Sequence, residues 1–141
     1  MGYDTSYYGN IKLKSGKAIN ILKKLIKEEN EPFEYTEGIE LKNSGLSISS
    51  YENIDSGEML KICLFVANLD KKSYGEIECK GEEDYDFWKI IINDGKVSTK
   101  EGEIVYKKYC EEFDDIETKK KVYDITKDNQ LLKEIMLENL K

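Results

Sequence analysis

Carboxylates crowd one short stretch of this chain: Glu76, Glu78, Glu82, Glu83, Asp84 and Asp86. Clustered hard oxygens of this kind can bind Ca²⁺ or Mg²⁺, but the stretch has no Asp-x-Asp-x-Asp-Gly run and no EF-hand spacing. A pair of carboxylates held across a cleft can do acid–base work of the glycosidase type, provided that their environments differ. The same charges can also form a docking surface that steers a basic partner. A solvated acidic turn is the fourth reading and the default one.

The residue types that are absent limit the chemistry further. The chain has 22 basic residues and no histidine, and every base is a lysine. An imidazole base near neutral pH and a histidine metal ligand are therefore excluded, as is the bidentate guanidinium fork for phosphate or carboxylate. Ser47, Ser49 and Ser50 have no histidine to activate them, and neither have Cys63, Cys79 and Cys110. The cysteines are odd in number and lack CxxC spacing. Cys63 and Cys79 sit among apolar neighbours and read as buried thiols of a reducing compartment. Phosphate-binding glycine loops are missing. Catalytic residues, cofactor and metal are accordingly expected to be none.

Aromatic side chains supply the remaining candidates. Trp88, the single tryptophan, lies beside Phe87 and reads as core or, if exposed, as an interface anchor. Tyr3, Tyr7, Tyr8 and Tyr85, with Tyr74, can form a stacking platform for a base or nucleotide; otherwise they are amphipathic cover for a small sheet.

These residues need a scaffold, and the patterning predicts one. A chain of 141 residues suits a single domain with one core. Charged residues make up 36% of it and the net charge is −7, a balance that argues against a general duplex nucleic-acid binder. A first strand is expected within Tyr3 to Lys14. Ser15 then caps a helix whose apolar face is Ala18, Ile19, Leu22, Leu25 and Ile26. Ile39–Leu41 and Leu46–Ser50 read as short strands around a turn at Asn43–Gly45. Ser56 is the expected cap of a helix from about Gly57 to Leu69; its middle is apolar nearly all round, so a buried strand stays open as an alternative. Strict alternation marks Glu76–Lys80 as a strand with Ile77 and Cys79 inward. Phe87–Asn93 follows, then a hairpin turn at Asp94-Gly95, and return strands at Val97–Ser98 and Ile104–Tyr109. Helices are expected over Asp114–Ile125 and Asp128–Lys141, the latter with Asp128 as cap and a stripe of Leu132, Ile135, Met136 and Leu140. The predicted fold class is α+β: an antiparallel sheet with two to four helices packed mainly on one face, in a single domain. No basic region followed by an apolar run opens the chain, and no apolar run is long enough to span a membrane, so a cytoplasmic setting is expected.

Two segments carry a resemblance. One is Gly2-Tyr3-Asp4-Thr5 followed by Gly9-Asn10-Ile11. The other runs from Gly75-Glu76-Ile77-Glu78-Cys79-Lys80-Gly81-Glu82-Glu83 through Asp86-Phe87-Trp88-Lys89-Ile90 to Asp94-Gly95-Lys96-Val97. Together they resemble a loose group of small bacteriophage and prophage proteins with an N-terminal Gly-Tyr-x-Thr strand and a later Asp-x-Trp strand and hairpin. The likeness does not extend past about Lys107. It implies a setting: small acidic phage accessory proteins often inhibit host defence systems, as anti-CRISPR proteins do, by binding a nuclease complex or by sequestering a signal molecule. On that basis a non-catalytic inhibitor is expected to meet a host protein through Glu76, Glu78, Glu82, Glu83, Asp84, Asp86 and Trp88. The alternatives are a nucleotide-sequestering protein using Tyr3, Tyr7, Tyr8 and Tyr85, and a carboxylate- and metal-dependent enzyme.

Overall fold

A computed structural model describes residues 5–34, 38–51, 55–81, 87–102 and 110–139. Seven strands form one sheet in the order β2-β3-β1-β4-β5-β6-β7, and every neighbouring pair is antiparallel. They are β1 (Ser6–Lys12), β2 (Ile39–Lys42), β3 (Gly45–Tyr51), β4 (Tyr74–Lys80), β5 (Phe87–Asn93), β6 (Lys96–Gly102) and β7 (Cys110–Phe113). Four helices accompany them: α1 (Gly16–Glu28), α2 (Ser56–Leu69), α3 (Ile116–Thr126) and α4 (Asn129–Asn139). The fold class is therefore α+β. No helix among the described residues is long and apolar enough to cross a membrane.

Alternation decides which face of the sheet is buried. On β1 the inward residues are Tyr7 and Ile11, on β3 Leu46 and Ile48, on β4 Ile77 and Cys79, on β5 Ile90 and Ile92, and on β6 Val97. The register aligns them into rows: Tyr7 faces Cys79, Ile77 faces Ile90, and Ile92 faces Val97. Helix α2 lies against this face at β5 and β6 and carries α3 on its other side, with α4 packed on α3. That sandwich explains why α2 is apolar nearly all round: Met59, Ile62, Cys63, Leu64, Phe65, Val66 and Ala67 are all buried. Uniform apolarity also allows a buried strand, but the length of the run favours the helix, and a helix of 14 residues is what forms. Phe65 meets Phe33 edge to face, with ring centroids 6.1 Å apart.

The termini of the helices correct several expectations. Ser15 caps α1, its hydroxyl accepting the Ala18 N–H at 3.2 Å, as its type predicts. The cap of α2 is Asp55 instead of Ser56: the Asp55 carboxylate accepts the Glu58 N–H at 2.8 Å, and a carboxylate complements the positive helix end better than a hydroxyl does. Helix α3 begins at Ile116 behind an Asp115 cap, two residues later than Asp114. Asp128 does cap the last helix, accepting the Gln130 N–H at 2.8 Å. The buried stripe of that helix is Leu131 and Ile135; Leu132 is only half-buried and Met136 is 57% exposed. Leu131 and Leu132 each have an apolar residue four places on, so spacing alone does not choose between them. The first strand is confined to Ser6–Lys12. The strand expected at Ile104–Tyr109 and the residue Leu140 lie outside the described residues.

One close approach shapes the middle of the sheet. Gly9 on β1 and Gly75 on β4 lie in adjacent strands, and a Cβ on either would run into the facing backbone, at the Glu76 carbonyl and the Asn10 carbonyl respectively. No side chain fits there without parting the strands.

Asp70 ties the layers together. It is 3% exposed, and its carboxylate accepts the backbone N–H groups of Lys14 (2.6 Å), Ser15 (3.0 Å) and Lys72 (3.1 Å). Removing a buried acceptor strands each of those donors. The Asp70→Ala protein is expected to lose about 2–4 kcal/mol of stability, read as a lower urea midpoint. Lys42→Ala, which breaks only the exposed pair with Glu40, should change it by less than about 0.5 kcal/mol. Equal effects of the two substitutions would refute the role assigned to Asp70.

Candidate functional site

Because the described helices pack against one face of the sheet, the side chains of the other face point outward. In register, this open face presents Ser6, Tyr8, Asn10 and Lys12 from β1, and Tyr74, Glu76, Glu78 and Lys80 from β4. Strand β5 adds Phe87, Lys89 and Ile91, and β6 adds Ser98 and Lys100. Across the middle, Ser49, Tyr8, Glu78, Lys89 and Lys100 form one transverse row on five successive strands. A hollow of about 300 Å³ borders this row near the end of β4 and the start of β5, lined by Ser6, Tyr8, Ser49, Glu78, Lys80, Phe87 and Lys89 and also by Tyr7, Cys79 and Trp88 of the inward set.

The interactions within the face are specific. The Glu76 carboxylate lies 3.6 Å from the Lys89 ammonium, which is 23% exposed. The Lys80 ammonium stands over the Phe87 ring, 5.9 Å from its centroid, and that of Lys14 over Tyr74, at 5.3 Å. Tyr8 is 67% exposed and Tyr74 is 44% exposed.

The residues expected from sequence divide clearly. Glu76 and Glu78 share the open face with Tyr8. Trp88 does not: it stands opposite Cys79 on the inward side and packs half-buried against the core. Tyr7 is likewise turned inward and is 2% exposed, so it cannot join Tyr8 in a surface platform. Tyr3, Glu82, Glu83, Asp84, Tyr85 and Asp86 lie outside the described residues. Sequence reasoning passes over Lys80, Lys89 and Lys100 and reaches Phe87 only as the neighbour of Trp88. Strand alternation holds the signal for them, since Phe87 and Lys89 are in phase with each other and out of phase with Ile90 and Ile92.

A second hollow, of about 240 Å³, opens on the helix side between α2, α3 and the segment after α1. Pro32, Ile62 and Phe65 line it, with Glu31, Glu34, Glu58, Asp115 and Glu117 around it beside Lys61 and Lys121, the latter 3.4 Å from Glu31. Glu58 and Glu117 stand in the first turns of α2 and α3, and Asp115 caps α3. Acids at those positions complement helix N-termini, which accounts for part of the cluster without any ligand. Among the described residues no group of three or more Cys, Asp or Glu is placed to hold a metal ion.

The inward groups are protonated and quiet. Burial pushes the Cys79 thiol up to about 12, and burial together with the neighbouring Cys79 pushes Cys63 higher still. Tyr7 is raised well above its ordinary value by burial and then by Cys79, and the Thr5 side chain offsets little of this. Its hydroxyl makes no hydrogen bond among the described residues. Raised acid pKa values mean that the folded state holds protons which the unfolded state releases at high pH. Stability should therefore be flat up to about pH 9 and fall above it, as pH rises from the unfolded thiol value toward the folded ones. The loss should be about 1 kcal/mol per thiol per pH unit. Urea midpoints at pH 8 and pH 10 measure this, and the Cys63→Ala/Cys79→Ala protein should show a smaller difference. An unchanged difference would assign the alkaline loss to other groups. No protein-family model, curated protein or solved structure matches the chain.

Proposed function

We propose that this chain is a non-catalytic accessory binding protein of a phage or prophage that inhibits a host defence system. It would dock on a basic surface of a host defence protein through the acidic segment that joins β4 to β5. The observation that supports this most is the placement of Glu76 and Glu78. Strand β4 sets both on the face turned away from the helices, and the chain then runs straight into Glu82, Glu83, Asp84 and Asp86. Carboxylates concentrated at one end of a hairpin give a local field strong enough to steer a basic partner, whatever the charge elsewhere. The setting itself rests on the resemblance of the N-terminal and β4–β5 segments to small phage proteins. The buried, protonated state of Cys63 and Cys79 gives them no part in such a surface.

Expression of the chain in hosts carrying active nuclease-based defences tests the reading. Plaque formation by a targeted phage should be restored against at least one such defence, and a nuclease subunit should co-purify with the chain in low salt and dissociate as salt rises. Changing Glu82 and Glu83 to Gln and Asp84 and Asp86 to Asn in one variant should abolish both effects. Undiminished inhibition by that folded variant would remove the acidic segment from the interface. Failure of the wild-type chain against every nuclease defence would remove the function.

A further inference from the structure

Charge is segregated in this molecule in a way that its net value of −7 conceals. Among strand residues with described side chains, the open face carries Lys12, Lys42, Lys80, Lys89, Lys96 and Lys100 against Glu40, Glu76 and Glu78. The hollow on the helix side has the opposite balance, with Glu31, Glu34, Glu58, Asp115 and Glu117 against Lys61 and Lys121. Lys89 and Lys100 are direct cross-strand partners on the open face. Like charges in that position repel, and the Glu76 carboxylate, 3.6 Å from Lys89, offsets part of that repulsion. The two aromatic rings that are most exposed among the described residues, Tyr8 and Tyr74, are on this same face, as is Phe87. A lysine excess interleaved with outward rings on an open antiparallel sheet supplies the two things that an unpaired nucleic-acid strand needs: cations along its backbone and flat surfaces for its bases.

We propose that the open face is a binding platform for single-stranded nucleic acid. Tyr8 stacks one base at the hollow beside Phe87, and Lys80, Lys89 and Lys100 neutralise the phosphates that cross β4, β5 and β6. Tyr74 stands on the strand next to Tyr8, four residues along the face, roughly 13 Å away, so a short strand can engage both rings. The occupant is a strand and not a duplex, because stacking on a sheet needs unpaired base faces, and the face projects no helix or ribbon into a groove. It is a strand and not a free nucleotide, because a small ligand is held by enclosure whereas this surface is open. This inference does not rest on the defence-inhibitor reading: it concerns the purified chain alone.

Fluorescence anisotropy with a labelled oligothymidylate tests it. In low salt the wild-type chain should give a saturable rise, and the affinity should fall steeply with added salt. Tyr8→Ala should weaken binding by roughly five- to a hundredfold, the range found for removal of a stacked base contact, while Tyr8→Phe keeps most of it. Lys100→Glu and Lys80→Glu should each weaken binding and flatten the salt dependence. Lys61→Glu, on the helix side, should leave both unchanged. All four side chains are at the surface, and circular dichroism verifies that each variant is folded. No rise with folded wild-type chain in low salt would overturn the proposal. So would equal binding by Tyr8→Ala and Lys100→Glu, which would place the strand elsewhere. Competition by a mononucleotide or by duplex DNA as strong as that by the unlabelled strand would replace this platform with a nucleotide pocket or with unspecific polyanion binding.

Discussion

A single buried carboxylate fixes where the helical layer meets the sheet. Asp70 follows the last turn of α2, and its oxygens accept N–H groups from the β1–α1 junction and from the approach to β4. Those N–H groups have no other place to go: Lys14 and Ser15 have left β1, and α1 has not yet begun. Satisfying them with one side chain sets the exit of β1, the start of α1 and the end of α2 at one point. The Asp94–Gly95 turn packs on the same spot, where a Cβ at Gly95 would press on Lys71 and on the Ala67 carbonyl. Ser73, wholly buried, donates to the Asp70 carbonyl at 2.7 Å and completes the knot. With α2 anchored there, Met59, Ile62 and Val66 are buried together.

From that constraint follows the division of the molecule into a side that stabilises and a side that is available. The helices are stacked outward from the sheet, α3 on α2 and α4 on α3, instead of being shared between its two faces. The outer helices are held by charge as well as packing: Glu134 of α4 reaches Lys71 at 3.0 Å, and Lys119 of α3 reaches Asp114 at 2.9 Å. Apart from Ile91, the sheet's large aliphatic residues are thus on one face, and the other face is left mainly to Tyr, Phe, Ser, Asn, Lys and Glu. An antiparallel sheet tolerates water on one side, so nothing in stability requires the exposed rings of Tyr8 and Tyr74. Their exposure is what makes the open face, and not the core, the place to look for function.

How much of this was legible beforehand depended on whether the information was local. Period-2 alternation in Glu76–Lys80 and the density of Phe87–Asn93 are properties of adjacent residues, and both strands and the turn between β5 and β6 were readable. Helix α2 was ambiguous because its amphipathicity vanishes when a second layer covers it, and the length of the run was the signal that favoured the helix. The caps at Ser15 and Asp128 were readable, and that of α2 was misplaced by one residue because an Asp-Ser pair offers two competent oxygens in succession. The functional face was legible in half: Glu76, Glu78 and Tyr8 were singled out, but Lys80, Lys89 and Lys100 were not, and Phe87 was reached only as the neighbour of Trp88. Their significance lies in the register of β1, β4, β5 and β6, and the strand order that places β1 between β3 and β4 leaves no trace in any window of the sequence. Trp88 shows the same limit from the other direction, since one residue of phase separates it from Phe87 and sends it inward.

Net charge is the property that misleads most in a chain of this kind. A total of −7 averages over surfaces that are far apart on the scale at which salt screens. The Debye length at physiological ionic strength is about 8 Å, less than two strand spacings. An anion on the open face therefore feels Lys80, Lys89 and Lys100 at nearly full strength, and the carboxylates beyond the helical layer hardly at all. The nearby acids, Glu76 and Glu78, act within that range, and their effect is local too. Glu76 holds Lys89 in place, and both acids lower the attraction of the middle of the face for a phosphate, so that Lys80 and Lys100 carry more of it. The molecule can thus be acidic in bulk, which keeps long polyanions at a distance, and basic over the few residues where a short one would lie.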